Sequence, residues 1–138
     1  LYSELARKDI VTIREEIAAL GLQGCESEIR DFRHQIAQST KSHHKRLAMS
    51  KDFFSLSELR DAIFHIQEHR FTIPQLVECL ENLKLQFCGF TPSELNHELD
   101  LYYNGQADRH NLNAWHQFEV DHPDTFRGMY QFWCQKTA

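Results

Sequence analysis

The stretch FHIQEHR carries His65, Glu68 and His69 in the order H-x-x-E-H. On a helix, two imidazoles at this spacing can share a zinc ion, and the neighbouring carboxylate can act as the base toward a metal-bound water. The chemistry that these residue types could perform is therefore zinc-dependent hydrolysis. It requires that the segment be helical and that a third protein ligand be close.

The segment SLSELRDAIFHIQEHR predicts a helix, because Ser55 and Glu58 form an S-x-x-E capping box before an apolar stripe at spacings of three and four. At about 100° per residue, the three motif residues point roughly 140–240° away from Ile63 on that stripe. No other residue is pre-positioned as a third ligand, and the resemblance to zinc peptidases covers only this short motif. We therefore interpret His65, Glu68 and His69 as a solvated or partner-facing helix face without metal, and a His-based metalloenzyme is the minor alternative.

The composition is that of an ordinary globular chain, with 41% hydrophobic and 25% charged residues among 138. A formal net charge of -5 argues against nucleic acid as a partner. The one basic cluster, residues 41–51, is interpreted as a solvated connection. No apolar run approaches the roughly 18 residues that span a bilayer, and no signal-peptide pattern is found, so we expect no membrane partner and a cytoplasmic location.

The cysteines are far apart and include no C-x-x-C pair, which predicts reduced thiols and not a metal or redox site. Cys79 and Cys88 lie in apolar surroundings and are expected to be buried. The aromatic residues of the C-terminal half are expected to form a core seam, with a ligand cage as the alternative: Trp115, Phe118, Phe126, Tyr130, Phe132 and Trp133.

The periodicity of apolar residues predicts an α+β chain that is mostly helical, with about five to six helices. Two late segments, 83–90 and 128–136, alternate like strands. We expect residues 1–138 to be a single domain or fragment, in which residues 1–52 form N-terminal helices and a loop, and residues 53–138 form helices and two strands. Because the first residue is Leu1 and not Met, we expect the chain to come from a longer protein.

Three segments of the sequence carry a resemblance to a known family: LYSELAR, FFSLSELRDAIFHIQEHRFTIPQL and WHQFEVDHPDTFRGMYQFWCQK. They resemble the C-terminal portion of large bacterial class I S-adenosylmethionine-dependent methyltransferase-like proteins, some of which carry tetratricopeptide repeats. The resemblance spans nearly the whole chain and is weakest over residues 22–50.

The resemblance implies that LYS ends a fifth strand, LKLQFCGF is the sixth strand, and GMYQFWCQK is an antiparallel seventh strand between the other two. The implied fold is the C-terminal part of a Rossmann-like methyltransferase sheet, with a small antiparallel strand pair at 83–90 and 128–136. The implied partner is the preceding methyltransferase domain of the parent chain. An unpaired edge of strand 128–136 further implies a homo-oligomer, or an edge masked by a rearranged N-terminal segment.

The family holds its cofactor with a glycine-rich turn and an acidic residue, and neither element is found in these 138 residues. The resemblance thus implies S-adenosylmethionine for the parent protein and no cofactor, cofactor-binding residue or catalytic residue in this part, which is predicted to be inactive alone. The expected function is to complete the fold and to shape the substrate or partner side. The alternative is a stand-alone helical protein-interaction domain that binds through the polar face of the 55–70 helix or through exposed aromatic residues.

Overall fold

A computed structural model describes residues 1–65, 67–91 and 94–137. The described chain is mixed α+β and mostly helical, which confirms the predicted class. Its α-helices are α1 (Lys8–Ala19), α2 (Glu26–Gln38), α3 (Ser42–Ala48), α4 (Leu56–Phe64), α5 (Ile73–Asn82), α6 (Glu94–Tyr102) and α7 (Leu112–Asp121). Its strands are β1 (Tyr2–Ser3), β2 (Arg70–Phe71), β3 (Leu85–Thr91) and β4 (Gln131–Lys136), and a 3-10 turn covers Lys51–Phe54.

The contacts divide the chain into two compact units. Unit 1 consists of residues 1–7 and 69–138, and unit 2 consists of residues 8–68. The proposal of a single domain or fragment, divided near residue 52, stays a prediction about how the chain folds. None of the described helices is both long and apolar enough to cross a bilayer.

The core of unit 2 is made by one apolar stripe on each of its longer helices. In α1 the stripe is Ile10, Ile13 and Ile17, as its spacing predicts, and all three are buried. The other buried core residues of this unit are Ile29, Phe32, Ile36, Leu47, Leu59, Ala62 and Ile63.

A carboxylate holds the start of α2. Glu28 Oε2 accepts hydrogen bonds from the backbone N–H groups of Gln23, Gly24 and Cys25, at 2.9, 2.8 and 3.1 Å. These donors precede the first helical turn, so one side chain satisfies several otherwise unpaired amides. The contact sets the direction in which the chain enters α2.

The interpretation of residues 41–51 as a solvated connection was wrong, because this stretch contains α3 and the start of a 3-10 turn. Within α3, His44 and Leu47 are three residues apart and both are buried. Residues at this spacing lie on the same face of a helix, so α3 has one buried face although its composition is basic. The basic cluster at 41–51 is therefore a helical element of unit 2 and not merely a solvated connection.

The prediction that one helix runs from Ser55 to Arg70 was also wrong at its C-terminal end. Ser55 caps α4 as predicted and accepts from the Glu58 amide, but the helix ends at Phe64, and His65 is extended with φ -65° and ψ 121°. The Arg14 guanidinium donates at 2.7 Å to the carbonyl of Ala62, which is one of the last-turn carbonyls that a helix leaves unpaired. A side chain of α1 thus holds the end of α4. Ile66, predicted to extend the apolar stripe, lies outside the described residues.

Unit 1 contains the antiparallel pair of β3 and β4, which confirms the predicted strand pair with slightly shorter bounds. The register shifts between Phe87 and Gly89, so Cys88 is an extra residue in β3. This bulge allows Phe87 and Phe90, three residues apart, both to be buried, whereas a regular strand would direct them to opposite faces. They belong to a core with Ile73, Leu76, Leu80, Leu99, Leu112, Trp115, Phe118, Phe126 and Tyr130.

Two further helices of unit 1 begin with side-chain caps. Thr72 and Gln75 form a capping box at α5, and Asn111 accepts from two amides at the start of α7. The order T-P-S-E at residues 91–94 predicts a further capping box before α6, but positions 92 and 93 lie outside the described residues.

Strand β1 lies between β2 and the residue that precedes β4. It is parallel to β2, with Tyr2 opposite Arg70 and Ser3 opposite Phe71. On its other side, Leu1 and Tyr130 exchange two backbone hydrogen bonds, with N···O distances of 2.7 and 3.2 Å. Such a mutual exchange is the pattern of an antiparallel pair. The described residues thus form two two-stranded sheets, β1 with β2 and β3 with β4, and the Leu1–Tyr130 exchange links the backbones that lead into β1 and β4.

We expect Gly24→Ala to destabilise the protein by roughly 2–4 kcal/mol. The backbone at this position is left-handed, which disfavours any residue with a Cβ, and the added Cβ would also displace a neighbouring side chain. Gly24 has φ +80°, and a Cβ there would lie 2.8 Å from Phe64 Cδ1. Gly21 has φ +69° with open space around it, so Gly21→Ala is the matched control and should cost only about 1–2 kcal/mol. Urea denaturation of both variants measures the difference, and equal losses would contradict the steric argument.

Candidate functional site

Two clusters of polar side chains stand out, and the first is the Glu119 cluster of Ser3, Glu119 and Tyr130 in unit 1. Glu119 on α7 is 0% exposed. The Tyr130 hydroxyl donates to both of its carboxylate oxygens at 2.8 Å, and the Ser3 hydroxyl donates to Oε1. Ser3 Oγ also accepts from the Ala6 amide at 3.1 Å. The cluster therefore joins β1, α7 and the residue before β4.

Burial governs the ionisation of this cluster. Removal from water raises the pKa of the Glu119 carboxyl above its ordinary value, although the donors Ser3 and Tyr130 and the nearby His116 act in the opposite direction. Burial also raises the pKa of the Tyr130 hydroxyl, with the adjacent Glu119 carboxylate as a further cause. Burial therefore shifts the ionisation equilibria of both groups toward their neutral forms.

The second is the Glu16 cluster in unit 2, which comprises Glu16 on α1 and His43 and His44 on α3. His43 Nε2 lies 2.9 Å from Glu16 Oε1, and His44 Nε2 lies 2.7 Å from Oε2. Lys41 Nζ lies 2.8 Å from Oε1. One ligand atom from each of the three cluster residues lies within 4.8 Å of the others. An imidazole pair and a carboxylate at these separations form a donor set for a metal ion.

The surroundings keep Glu16 ionised. Burial raises the pKa of its carboxyl, but hydrogen bonds from Lys41, His43 and His44 outweigh that effect and lower the pKa from 4.5 to about 2. A second pair, Asp9 and Arg46, also links α1 to α3. The sequence interpretation missed the Glu16 cluster, because the two adjacent histidines were assigned to a solvated connection and Glu16 lies 27 residues before His43.

The H-x-x-E-H residues do not form a shared helix face. His65 and His69 are exposed, and both follow the end of α4. The Glu68 side chain is only 3% exposed and forms a salt bridge of 3.0 Å with Arg14, so it is turned toward α1. Once the helix ends at Phe64, the helical-phase argument no longer applies to these residues. A partner-facing role for His65 and His69 stays a prediction.

The cysteines and aromatic residues divide between surface and core. Cys79 is exposed and Cys88 is half-buried, so the expectation that both are buried thiols was wrong. Of the six aromatic residues expected to form a core seam, four are buried and Phe132 is half-buried. Trp133 is the exception, because it is 71% exposed on β4.

An open groove of about 890 Å³ crosses unit 2. Its lining combines apolar and charged side chains from α2, α4 and the segment after α4, among them Ile29, Leu56, Arg60, Asp61, Phe64 and His65. His65 therefore lines a concave surface that combines apolar and polar side chains.

No protein-family model matches the chain, and no curated protein or solved structure gives a significant match.

We expect Glu119→Gln to change how stability depends on pH. The pKa of Glu119 in the folded protein is raised above 4.5, its ordinary value in the unfolded chain. Below pH 4.5 the carboxyl is therefore protonated in the folded and the unfolded protein alike, and no stability is lost there through its ionisation. As the pH rises, the unfolded chain loses this proton first, so wild-type stability should fall relative to Glu119→Gln. Denaturant titrations from pH 4 to 8 measure the difference, with exposed Glu98→Gln as the matched control. A difference for Glu119→Gln that stays constant with pH would contradict this expectation.

Proposed function

We propose that the chain is the C-terminal, non-cofactor-binding part of a bacterial class I S-adenosylmethionine-dependent methyltransferase-like protein. The observation that carries this proposal is the backbone pairing on the two sides of the segment that contains Tyr130 and β4. β4 is antiparallel to β3, with Leu85 opposite Lys136, and Tyr130 pairs with Leu1 on the other side. A seventh strand between a sixth and a fifth strand is the arrangement that the sequence resemblance implies.

The register at Leu1 strengthens this argument. In an antiparallel pair, the residue one position earlier in one strand lies opposite the residue one position later in the other strand. Any residues that precede Leu1 in a longer protein would therefore run beside Gln131–Lys136 if the strand continued. That segment of β4 bonds to β3 on one side and is otherwise mostly exposed. An incoming strand would supply hydrogen-bond partners to an edge that would otherwise favour association with another chain.

In this proposal the chain completes a sheet whose preceding domain binds S-adenosylmethionine. The Glu119 cluster supports this role, because it fixes β1 against α7 and the start of β4. The chain would shape the substrate or partner side of a cytoplasmic enzyme and would be inactive alone. The catalytic residues would belong to the preceding domain.

A second candidate function is a stand-alone helical interaction domain. The observation that favours it is the groove of unit 2, whose lining includes Arg60, Asp61 and the exposed His65 beside apolar Phe64. Such a mixture suits a short peptide with both apolar and charged residues. This candidate requires no cofactor-binding domain, and the two proposals therefore differ in what an extended protein should bind.

Binding of S-adenosylmethionine distinguishes the two candidates. We expect isothermal titration to detect no binding to the 138-residue chain and micromolar binding to a longer protein that includes the region encoded upstream. The upstream region should contain a strand followed by a G-x-G turn within about 200 residues. Binding by the 138-residue chain itself, or an upstream region without that turn, would contradict the methyltransferase proposal.

We also expect the 138-residue chain to self-associate through β4, and a longer protein with a covered edge to remain monomeric. Trp133→Lys should make the short chain monomeric, because a charge on an edge strand opposes pairing with a second copy. Leu101→Lys is the matched control, since Leu101 on α6 is 65% exposed and lies outside the strands. Light scattering at tens of micromolar measures the mass. A monomeric wild-type chain would count against association through this edge.

A further inference from the structure

We propose that Glu16, His43 and His44 form a binding site for a divalent transition-metal ion such as zinc. Each residue already directs a ligand atom toward the others, with imidazole–carboxylate separations of 2.7 and 2.9 Å. In a tetrahedral zinc site with bonds of about 2.0–2.2 Å, neighbouring ligand atoms are roughly 3.3–3.5 Å apart. The two imidazoles would therefore need only to separate slightly from the carboxylate to admit an ion between them.

The site is held by elements that do not depend on the ion. Ile13 and Ile17 of α1 and Leu47 of α3 are buried in the same core, and the Asp9–Arg46 pair joins the two helices beside the cluster. The His44 side chain is 7% exposed, and its ring contacts Phe32 edge-on with centroids 6.2 Å apart. Rigid ligands lower the ordering cost of binding an ion.

The donor set determines the class of ion. Two imidazole nitrogens and one carboxylate oxygen suit zinc and the neighbouring first-row metals, whereas magnesium and calcium prefer oxygen ligands alone. Lys41 is the group that competes with the ion for Glu16. Its side chain is 55% exposed, so the ammonium can move into solvent and open a fourth position for water.

The hydrogen bonding of the ligand imidazoles limits the affinity that we expect. A histidine that binds a metal through Nε2 usually donates its Nδ1–H to a partner, and loss of such a partner costs about 10–100-fold in affinity. His44 Nδ1 is buried and makes no hydrogen bond within the described residues. We therefore expect micromolar and not nanomolar binding of zinc. A neutral imidazole that binds the ion through Nε2 carries its proton on Nδ1, so the bonds from Nε2 to Glu16 would be replaced by bonds to the ion.

The same contacts would also occur in an ion-pair network without metal, and Lys41→Ala separates the two roles. In a metal site, removal of the competing ammonium should leave zinc affinity unchanged or raise it several-fold. In a network that only pairs charges, no zinc should bind to either protein. The opposite behaviour, in which Lys41→Ala abolishes zinc binding, would overturn the proposal.

The test is titration of zinc into the 138-residue chain, purified without a histidine tag and treated with a chelator. We expect one ion per chain with micromolar affinity, and a loss of at least about tenfold in each of His43→Ala and Glu16→Gln, since each removes one ligand. His65→Ala is the matched control and should bind as the wild type does, because His65 lies outside the cluster. Circular dichroism verifies that each variant is folded.

Cobalt absorption identifies the ligands independently of stability. Nitrogen and oxygen ligands give weak visible bands, whereas thiolates from the exposed Cys25, Cys79 or Cys134 would add intense charge-transfer bands in the ultraviolet. The proposal predicts the first spectrum. Absence of binding, binding that survives His43→Ala, binding lost in His65→Ala, or a thiolate spectrum would each overturn it.

Discussion

The buried carboxylate of Glu119 constrains unit 1 more than any other single group. A carboxyl group with no solvent exposure is costly unless its oxygens are hydrogen-bonded, and here the hydroxyls of Ser3 and Tyr130 meet that need. Ser3 is 116 residues from Glu119 in the sequence. A two-residue strand such as β1 has little stability of its own, so this contact and the Leu1–Tyr130 pair explain why the N-terminal residues belong to unit 1.

Helix α1 has the corresponding role in unit 2. Its apolar stripe supplies the core, while three polar residues beside that stripe each contact a different feature. Asp9 pairs with Arg46, Glu16 contacts the α3 histidines, and Arg14 contacts the end of α4 and Glu68. Breaking a partly buried pair leaves a charge without compensation, so such pairs disfavour alternative packings more than they add net stability. The polar side of α1 therefore helps to determine which neighbouring segments are helical and where they end.

The H-x-x-E-H stretch illustrates why local patterns can mislead. Its residues have helix-compatible types, and Ser55 does begin a helix, so extension of the same phase to His69 was a reasonable hypothesis. The hypothesis failed because Arg14, about 50 residues earlier, holds the Ala62 carbonyl and the Glu68 carboxylate. The adjacent histidines of α3 were overlooked because their hydrogen-bond partner, Glu16, is likewise distant in sequence and lies in another helix.

Patterns in the sequence were sufficient for the features that depend on residues within about four positions of one another. These are the apolar stripes of α1 and α2, the caps at Ser55 and Thr72, and the alternation of the two late strands. Four other features follow from long-range packing: the end of α4, the bulge at Cys88, the pairing of β1 and the assembly of the Glu16 and Glu119 clusters. Each of these depends on contacts between distant residues, for which periodicity and capping patterns carry no signal.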